Sequence, residues 1–131
     1  MDDVIEVKPA HGKKGKGAFA KKDIPKGKII EISHVILIPN LEYENIKKTV
    51  LDNYTFIWDD PKNEGAFHMA FALTICQFMN HSYDPNVIYQ FVYRNETIEF
   101  MTLRNIKKGE ELTINYNGYA DDNSPMWFDV E

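Results

Sequence analysis

The order of apolar and polar residues predicts short β-strands joined by many turns. Lys28 to Ile38 is rich in β-branched residues and ends at Pro39, which is typical of a strand or a pair of strands. Val87 to Tyr93 and Thr97 to Leu103 flank a short polar connection and predict a β-hairpin. Further short strands are predicted at 4–7, 54–58 and 111–116.

Two segments depart from this β pattern. Leu41 to Leu51 spaces its apolar residues as one face of a helix would, so a modest amphipathic helix is predicted there. Gly65 to Met79 is almost continuously apolar, which is typical of a buried helix or of compact irregular core. Its periodicity does not separate these two alternatives. The whole pattern predicts a mainly β fold (β+α) with one or two short helices.

Length and composition indicate a single domain over residues 1–131. The 131 residues are 44% apolar and 13% aromatic, which is enough to form a buried core. The single cysteine, Cys76, excludes an intramolecular disulfide and a cysteine-rich zinc site. Its apolar neighbours favour a buried residue over a nucleophile. The four histidines are scattered along the chain, so no metal site is predicted.

The chain shows no signal peptide and no apolar run of membrane-spanning length. An intracellular, cytoplasmic protein that does not bind membranes is therefore expected. Charge is distributed unevenly, because residues 1–28 contain eight lysines and four acidic residues whereas the remaining residues carry a balance of −9. This acidic majority would repel a phosphate backbone, so direct nucleic-acid binding is not expected and a lysine-rich ligand is favoured.

The glycine-rich turn near the N-terminus fits a dinucleotide-binding fingerprint only in its spacing. Gly15 to Ala20 matches G-x-G-x-x-A, a motif that requires a helix to begin at the glycines. Pro25 and Gly27 follow closely and would break such a helix. We therefore reject a dinucleotide site, although the glycines still permit close approach to the backbone.

Three separated segments form a more informative combination. They are Lys14 to Ala20, the polar stretch Asn80-His81-Ser82-Tyr83-Asp84-Pro85-Asn86, and the turn and strand from Gly109 to Tyr116. Their order and spacing resemble the SET domain, the catalytic module of protein-lysine methyltransferases, over almost the whole chain. The resemblance is strongest to compact, stand-alone SET proteins of bacteria and large viruses. This sequence lacks the zinc-binding cysteine clusters that flank the domain in many eukaryotic members.

The resemblance implies a fold of small β-sheets in which the C-terminal strand threads beneath the segment 80–82 and forms a pseudoknot. It implies S-adenosylmethionine as the cofactor, bound on one face, and a target lysine that enters from the other through a narrow channel. The expected activity is methyl transfer to a lysine side chain of a basic protein such as a histone. For a viral or effector protein, the expected location becomes the host nucleus.

By the same resemblance, the cofactor contacts fall on the glycine turn, the Asn-His pair, the catalytic strand and the C-terminal tail. Trp127 would stack on the adenine and, with Phe128, close the site as zinc-bound cysteines do elsewhere. The residues expected to bind the cofactor are Lys14, Gly15, Lys16, Gly17, Asn80, His81, Tyr116, Trp127 and Glu131.

Tyr116 is the main expected catalytic residue. Its hydroxyl could orient the lysine amine and accept weak C–H···O contacts, so that alignment and electrostatics supply much of the acceleration. The resemblance makes Tyr89 a second catalytic residue that lines the lysine channel, together with Tyr54. Ile114 stands where other members carry the Phe or Tyr that limits the number of methyl groups, which leaves the product state open.

Two other classes of protein remain as alternatives. A SET-like module that has lost activity would hold a lysine-bearing peptide without methylating it, although retention of Tyr116, Asn80 and His81 argues against such decay. A β-rich interaction domain without a cofactor is the second alternative, and it would not bind S-adenosylmethionine. Since no partner domain is visible in the sequence, peptide recognition would come from this small surface or from a homodimer.

Overall fold

The structure is a computed structural model that describes residues 3–12, 15–62, 65–126 and 130. Within these ranges, the strands are β1 (Ile5–Pro9), β2 (Lys16–Ala20), β3 (Ile29–Pro39), β4 (Thr55–Ile57), β5 (Phe67–Ala72), β6 (Asn80–His81), β7 (Val87–Val92), β8 (Thr97–Thr102) and β9 (Glu111–Ile114). The helices are α1 (Asn40–Ile46) and 3-10 helices at Val50–Tyr54, Ile75–Phe78 and Tyr93–Asn95. The predicted mainly β fold is confirmed.

The strands form two sheets. One has the order β1-β2-β9-β6, and the other has the order β4-β5-β3-β8-β7. All neighbours are antiparallel except β6 and β9, which run parallel. The predicted hairpin is confirmed, because β7 pairs with β8 along its whole length, from Val87 opposite Thr102 to Val92 opposite Thr97.

The predicted helix over 41–51 is shorter than expected. Helix α1 ends at Ile46, and a separate 3-10 helix begins at Val50. Thr49 stands between them in an extended conformation, and its hydroxyl accepts from the N–H of Leu51. This local hydrogen bond caps the second helix and prevents a continuous one.

The prediction of a helix or irregular core over 65–79 is wrong for its first half, which forms strand β5. This strand lies between β3 and β4. Ala70 and Ala72 are buried in the core, and Met69 and Phe71 on the opposite face are half-buried. Because both faces are apolar, the alternation that normally indicates a strand is absent from the sequence.

The hydrophobic core joins the two sheets. Ala18 and Leu112 of the first sheet belong to the same buried cluster as Ile98 and Phe100 of the second. Each large apolar side chain buried in this way contributes roughly 1.5–3 kcal/mol to folding. The core therefore fixes the position of β9 relative to the hairpin β7–β8.

The C-terminal strand β9 lies between segments that are distant in sequence. Leu112 stands opposite Ala18 of β2, and Ile114 stands opposite His81 of β6. The N–H of Ser82 continues this pairing by donating to the carbonyl of Ile114 at 2.9 Å. This placement beside 80–82 agrees with the predicted pseudoknot and brings the second and third sequence motifs together.

Candidate active site

The buried carboxamide of Asn86 ties the two C-terminal motifs together. Its Nδ2 donates to the backbone carbonyl of Glu111 at 2.8 Å and to Oε2 of Glu110 at 3.1 Å. Its Oδ1 accepts from the N–H of Thr113 at 2.8 Å. The side chain of Asn86 is 2% exposed, and its amide nitrogen and its oxygen both have hydrogen-bond partners. These contacts fix the segment 80–86 against β9.

Tyr116 follows β9 and places its phenol in this fixed region. The hydroxyl donates to the backbone carbonyl of Met79 at 3.0 Å. Burial raises the pKa of Tyr116 to about 12, with smaller contributions from Tyr54 and from the negative charge of Glu111. The phenol is therefore protonated at neutral pH, and it acts as a hydrogen-bonding group and not as a strong base.

His81 holds the backbone of Tyr116. Its Nδ1 accepts from the N–H of Tyr116 at 3.0 Å, which places the proton of a neutral imidazole on Nε2. The ring is only 4% exposed and lies edge-on to the ring of Tyr83, with 4.5 Å between centroids. Burial lowers the pKa of His81, so the imidazole is uncharged at neutral pH.

Tyr89, on β7, approaches Tyr116 from the second sheet. Its hydroxyl donates to the carbonyl of Tyr116 in a long hydrogen bond of 3.5 Å. The ring lies edge-on to Phe56 at 5.2 Å between centroids. Burial, followed by the proximity of Tyr116, raises the pKa of Tyr89 to about 12. The two predicted catalytic tyrosines are therefore neighbours.

The other two predicted channel residues differ in their surroundings. Tyr54 is half-buried, packs edge-on to Phe78 at 6.1 Å between centroids, and is close enough to Tyr116 to influence its pKa. Ile114 is 2% exposed and belongs to the hydrophobic core. Their roles in a lysine channel stay predictions.

The glycine turn approaches the same region through Gly17. A Cβ on Gly17 would lie 2.7 Å from Oε2 of Glu111 and 3.1 Å from Nδ2 of Asn80. A side chain at position 17 would therefore have to displace the carboxylate of Glu111, whereas the sequence had suggested approach of a ligand. Gly15 differs, because its φ is +74° and nothing lies within 4 Å of where its Cβ would be.

Asn80 connects the glycine turn to β9. Its Nδ2 donates to the backbone carbonyl of Lys16 at 3.1 Å and to Oε2 of Glu111 at 2.8 Å. Both amide hydrogens are used in these contacts, and no hydrogen bond from a described residue reaches Oδ1. The structure therefore brings Lys16, Gly17 and Asn80 together, and leaves one acceptor of Asn80 for a ligand.

The predicted contacts at Lys14, Trp127 and Glu131, and the closing role of Phe128, lie outside the described residues.

A hydrogen-bond cluster fixes the chain after Tyr116. The side-chain amides of Asn115 and Asn117 both donate to the carbonyl of Asp122, at 2.7 and 3.3 Å. The carboxylate of Asp122 accepts from the N–H and the hydroxyl of Ser124, which lowers its pKa. The hydroxyl of Tyr83 donates to the carbonyl of Ser124 at 3.0 Å. The C-terminal segment is thereby attached to the segment 80–86.

Other chemistries find little support in the described part of the chain. Cys76 is fully buried, and burial raises the pKa of its thiol to about 12, so it is not a ready nucleophile. Over the described ranges, no group of three or more His, Cys, Asp or Glu is placed to hold a metal ion. In the same ranges, no helix is long and apolar enough to span a membrane.

Three groups that hold this region of the fold together were not predicted from the sequence. The carbonyl of Met79 is a backbone group and leaves no signal in the side-chain pattern. Glu110 and Glu111 hydrogen-bond to Asn86 and Asn80, respectively. Glu111 begins strand β9, whereas Glu110 lies in the turn before it, so no periodic pattern in the sequence indicated their two different partners.

Comparison with known proteins identifies the class. The sequence model of the SET domain matches residues 15–117. The chain is 38% identical over 120 residues to "Histone-lysine N-methyltransferase, H3 lysine-37 specific" of Schizosaccharomyces pombe, covering 91% of this chain and 74% of that protein. It is 24% identical over 129 residues to "Histone-lysine N-methyltransferase SETD7" of Halocynthia roretzi, covering 87% of this chain and 33% of that protein.

A solved structure agrees with this result. The Plasmodium falciparum protein PFL0690c, described as a candidate histone methyltransferase, superimposes with a TM-score of 0.66 at 26% sequence identity, covering 88% of this chain and 95% of that one. The chain belongs to the SET-domain family. The predicted fold and the predicted class, a protein-lysine methyltransferase, are confirmed. A special relationship to bacterial or viral members stays a prediction.

Proposed function

We propose that this protein transfers a methyl group from S-adenosylmethionine to the Nζ atom of a lysine in a basic protein, with a histone as the first candidate. The observation that carries the proposal is the position of the Tyr116 hydroxyl. It lies 3.0 Å from the carbonyl of Met79, in a site whose backbone is held by His81 and whose second wall is Tyr89. The hydroxyl oxygen of Tyr116 and the carbonyl oxygen of Met79 are thereby fixed side by side at the edge of the hydrophobic core.

The residues present fit S-adenosylmethionine. The Oδ1 of Asn80 is an acceptor suited to an N–H donor of the cofactor, and Gly15 has open space around its Cα. When bound, S-adenosylmethionine would supply a sulfonium methyl group, and its transfer would break the S–C bond, form the N–C bond to the neutral amine, and leave a thioether and an alkylammonium that can lose its proton to solvent. Asn80 and the turn at 15–17 would hold the cofactor.

The tyrosines keep the lysine amine neutral and orient it. Their pKa values of about 12 leave both phenols uncharged, so neither forms an ion pair that would favour the ammonium form. Desolvation among buried aromatic rings lowers the pKa of an entering lysine. The Tyr116 hydroxyl directs its hydrogen at the carbonyl of Met79, so its oxygen would act as the acceptor toward an N–H of the amine. Alignment of the amine then supplies much of the rate acceleration.

The substrate proposal rests on charge and on the named relatives. Residues 29–131 carry a balance of −9, which favours a lysine-rich protein over nucleic acid. Both relatives described above are named as histone-lysine methyltransferases.

We infer an intracellular protein, nuclear where it meets a host histone, that acts without a membrane. A homodimer would enlarge the small peptide-binding surface, and light scattering of the purified protein would detect it.

The proposal is tested by incubating the purified protein with methyl-labelled S-adenosylmethionine and a panel of core histones and other basic proteins. Label is expected on lysine, and mass spectrometry of the digested product identifies its position and methylation state. Binding of both the cofactor and a histone peptide without any transfer would favour the inactive peptide-binding module. Absence of cofactor binding by calorimetry would contradict both and favour a simple interaction domain.

A further inference from the structure

We propose that Glu111 is a positioning residue, whose carboxylate fixes the carboxamide of Asn80 so that Oδ1 is the atom presented to the cofactor. This inference rests on the proposed function, because it assigns a direction to the cofactor contact of Asn80. Glu111 stands in the third of the sequence motifs, Gly109 to Tyr116, and begins strand β9.

The orientation of Asn80 is determined by its two acceptors. The carbonyl of Lys16 and the carboxylate of Glu111 stand 3.1 and 2.8 Å from the same amide nitrogen. A flipped carboxamide would place Oδ1 against these two oxygens, which repel it. The carboxylate is the stronger of the two acceptors because it is charged. Without it, only the neutral carbonyl of Lys16 opposes the flip.

Gly17 makes room for this arrangement. A Cβ at this position would lie 2.7 Å from Oε2 of Glu111, the same oxygen that accepts from Asn80. Any side chain at position 17 would therefore displace the carboxylate from its partner. The glycine, the acidic residue and the amide form one unit that spans β2, β9 and β6.

Glu110 provides a matched control. It precedes Glu111 and accepts at 3.1 Å from the side-chain amide of the other asparagine in the same motif, Asn86. Glu110→Ala therefore removes the same kind of hydrogen bond at the residue directly before strand β9. It leaves Asn80 and its partners intact, so it reports the purely structural cost of losing such a contact.

The experiment measures the dissociation constant of S-adenosylmethionine by calorimetry, and the melting temperature, for the wild type and five variants. Glu111→Ala should weaken binding by about tenfold to a hundredfold, the effect of losing a charge-assisted hydrogen bond. Glu111→Gln should weaken it by only a few fold, because its amide oxygen can still accept from Asn80. Glu110→Ala should lower the melting temperature and leave the dissociation constant within about twofold.

The remaining variants form a double-mutant cycle. Asn80→Ala should weaken cofactor binding, and adding Glu111→Ala to it should cause no further loss, because the side chain to be positioned is gone. Additive losses would overturn the proposal, as would an effect of Glu111→Ala on binding that is no larger than that of Glu110→Ala. If Glu111→Ala does not fold, the same cycle is measured with Glu111→Gln. A wild type that does not bind S-adenosylmethionine would instead contradict the proposed function itself.

Discussion

The backbone N–H of Tyr116 donates to Nδ1 of His81 at 3.0 Å, so the tyrosine that we propose as catalytic is held by a side chain of the parallel strand β6. This hydrogen bond depends on a neutral imidazole, because protonation of Nδ1 would remove the acceptor. Burial supports the neutral form by lowering the pKa of His81. The position of Tyr116 is therefore linked to the protonation of His81.

This linkage predicts a pH dependence of stability. The pKa of His81 in the folded state lies below its ordinary value of 6.5. The neutral imidazole therefore makes its full contribution to the free energy of unfolding above pH 6.5. This contribution is lost as the pH falls from 6.5 through the pKa of His81 in the folded state, because in this range the unfolded chain binds a proton that the folded chain does not. His81→Asn retains an acceptor but does not titrate. Urea unfolding between pH 5 and pH 8 should therefore show a steeper acidic loss for the wild type than for the variant. Parallel pH curves for the two proteins would refute the linkage.

Gly17→Ala should destabilise the protein through a steric clash with Glu111. The added Cβ would lie 2.7 Å from Oε2 of Glu111, so we expect a loss of about 1–3 kcal/mol in the free energy of unfolding. In a Glu111→Ala background the same substitution should cost less, because the clashing carboxylate is absent. Equal losses in the two backgrounds, measured by urea titration, would show that the carboxylate is not the cause.

Tyr89→Phe should change the methylation state of the product more than the stability of the fold. The substitution removes a hydroxyl that makes one long hydrogen bond, 3.5 Å, to the carbonyl of Tyr116, so we expect a stability change of about 1 kcal/mol or less. The space released beside the proposed lysine channel should favour a more highly methylated product. Mass spectrometry of the peptide product under exhaustive turnover checks this expectation, and an unchanged distribution would remove Tyr89 from the control of product state.

The sequence indicated several residues that the structure brings together in the candidate site. Tyr116, Asn80 and His81 stand in two compact motifs, and β7 and β8 could be recognised because they are adjacent and joined by a polar turn. The parallel pairing of β6 with β9 could not be read from local patterns, since it joins residues more than thirty positions apart. Strand β5 was hidden because both of its faces are apolar.

The roles of Gly17 and Glu111 illustrate a second limit. A glycine beside a motif indicates close approach, but the sequence does not say what approaches. In the structure it is a carboxylate and an amide of the chain itself. The hydrogen bond from the Tyr116 hydroxyl to Met79 escaped prediction for a related reason, because its acceptor is a backbone carbonyl that any residue would supply.

The central claim is that the hydroxyl of Tyr116 aligns the lysine amine for methyl transfer. The most direct measurement compares single-turnover methyl transfer and S-adenosylmethionine affinity for the wild type, Tyr116→Phe and a control, Tyr119→Phe, whose residue is 73% exposed. We predict that Tyr116→Phe slows transfer by roughly a hundredfold or more while the dissociation constant of the cofactor changes little, and that Tyr119→Phe changes neither. Transfer by Tyr116→Phe at the wild-type rate would contradict the assignment of this hydroxyl.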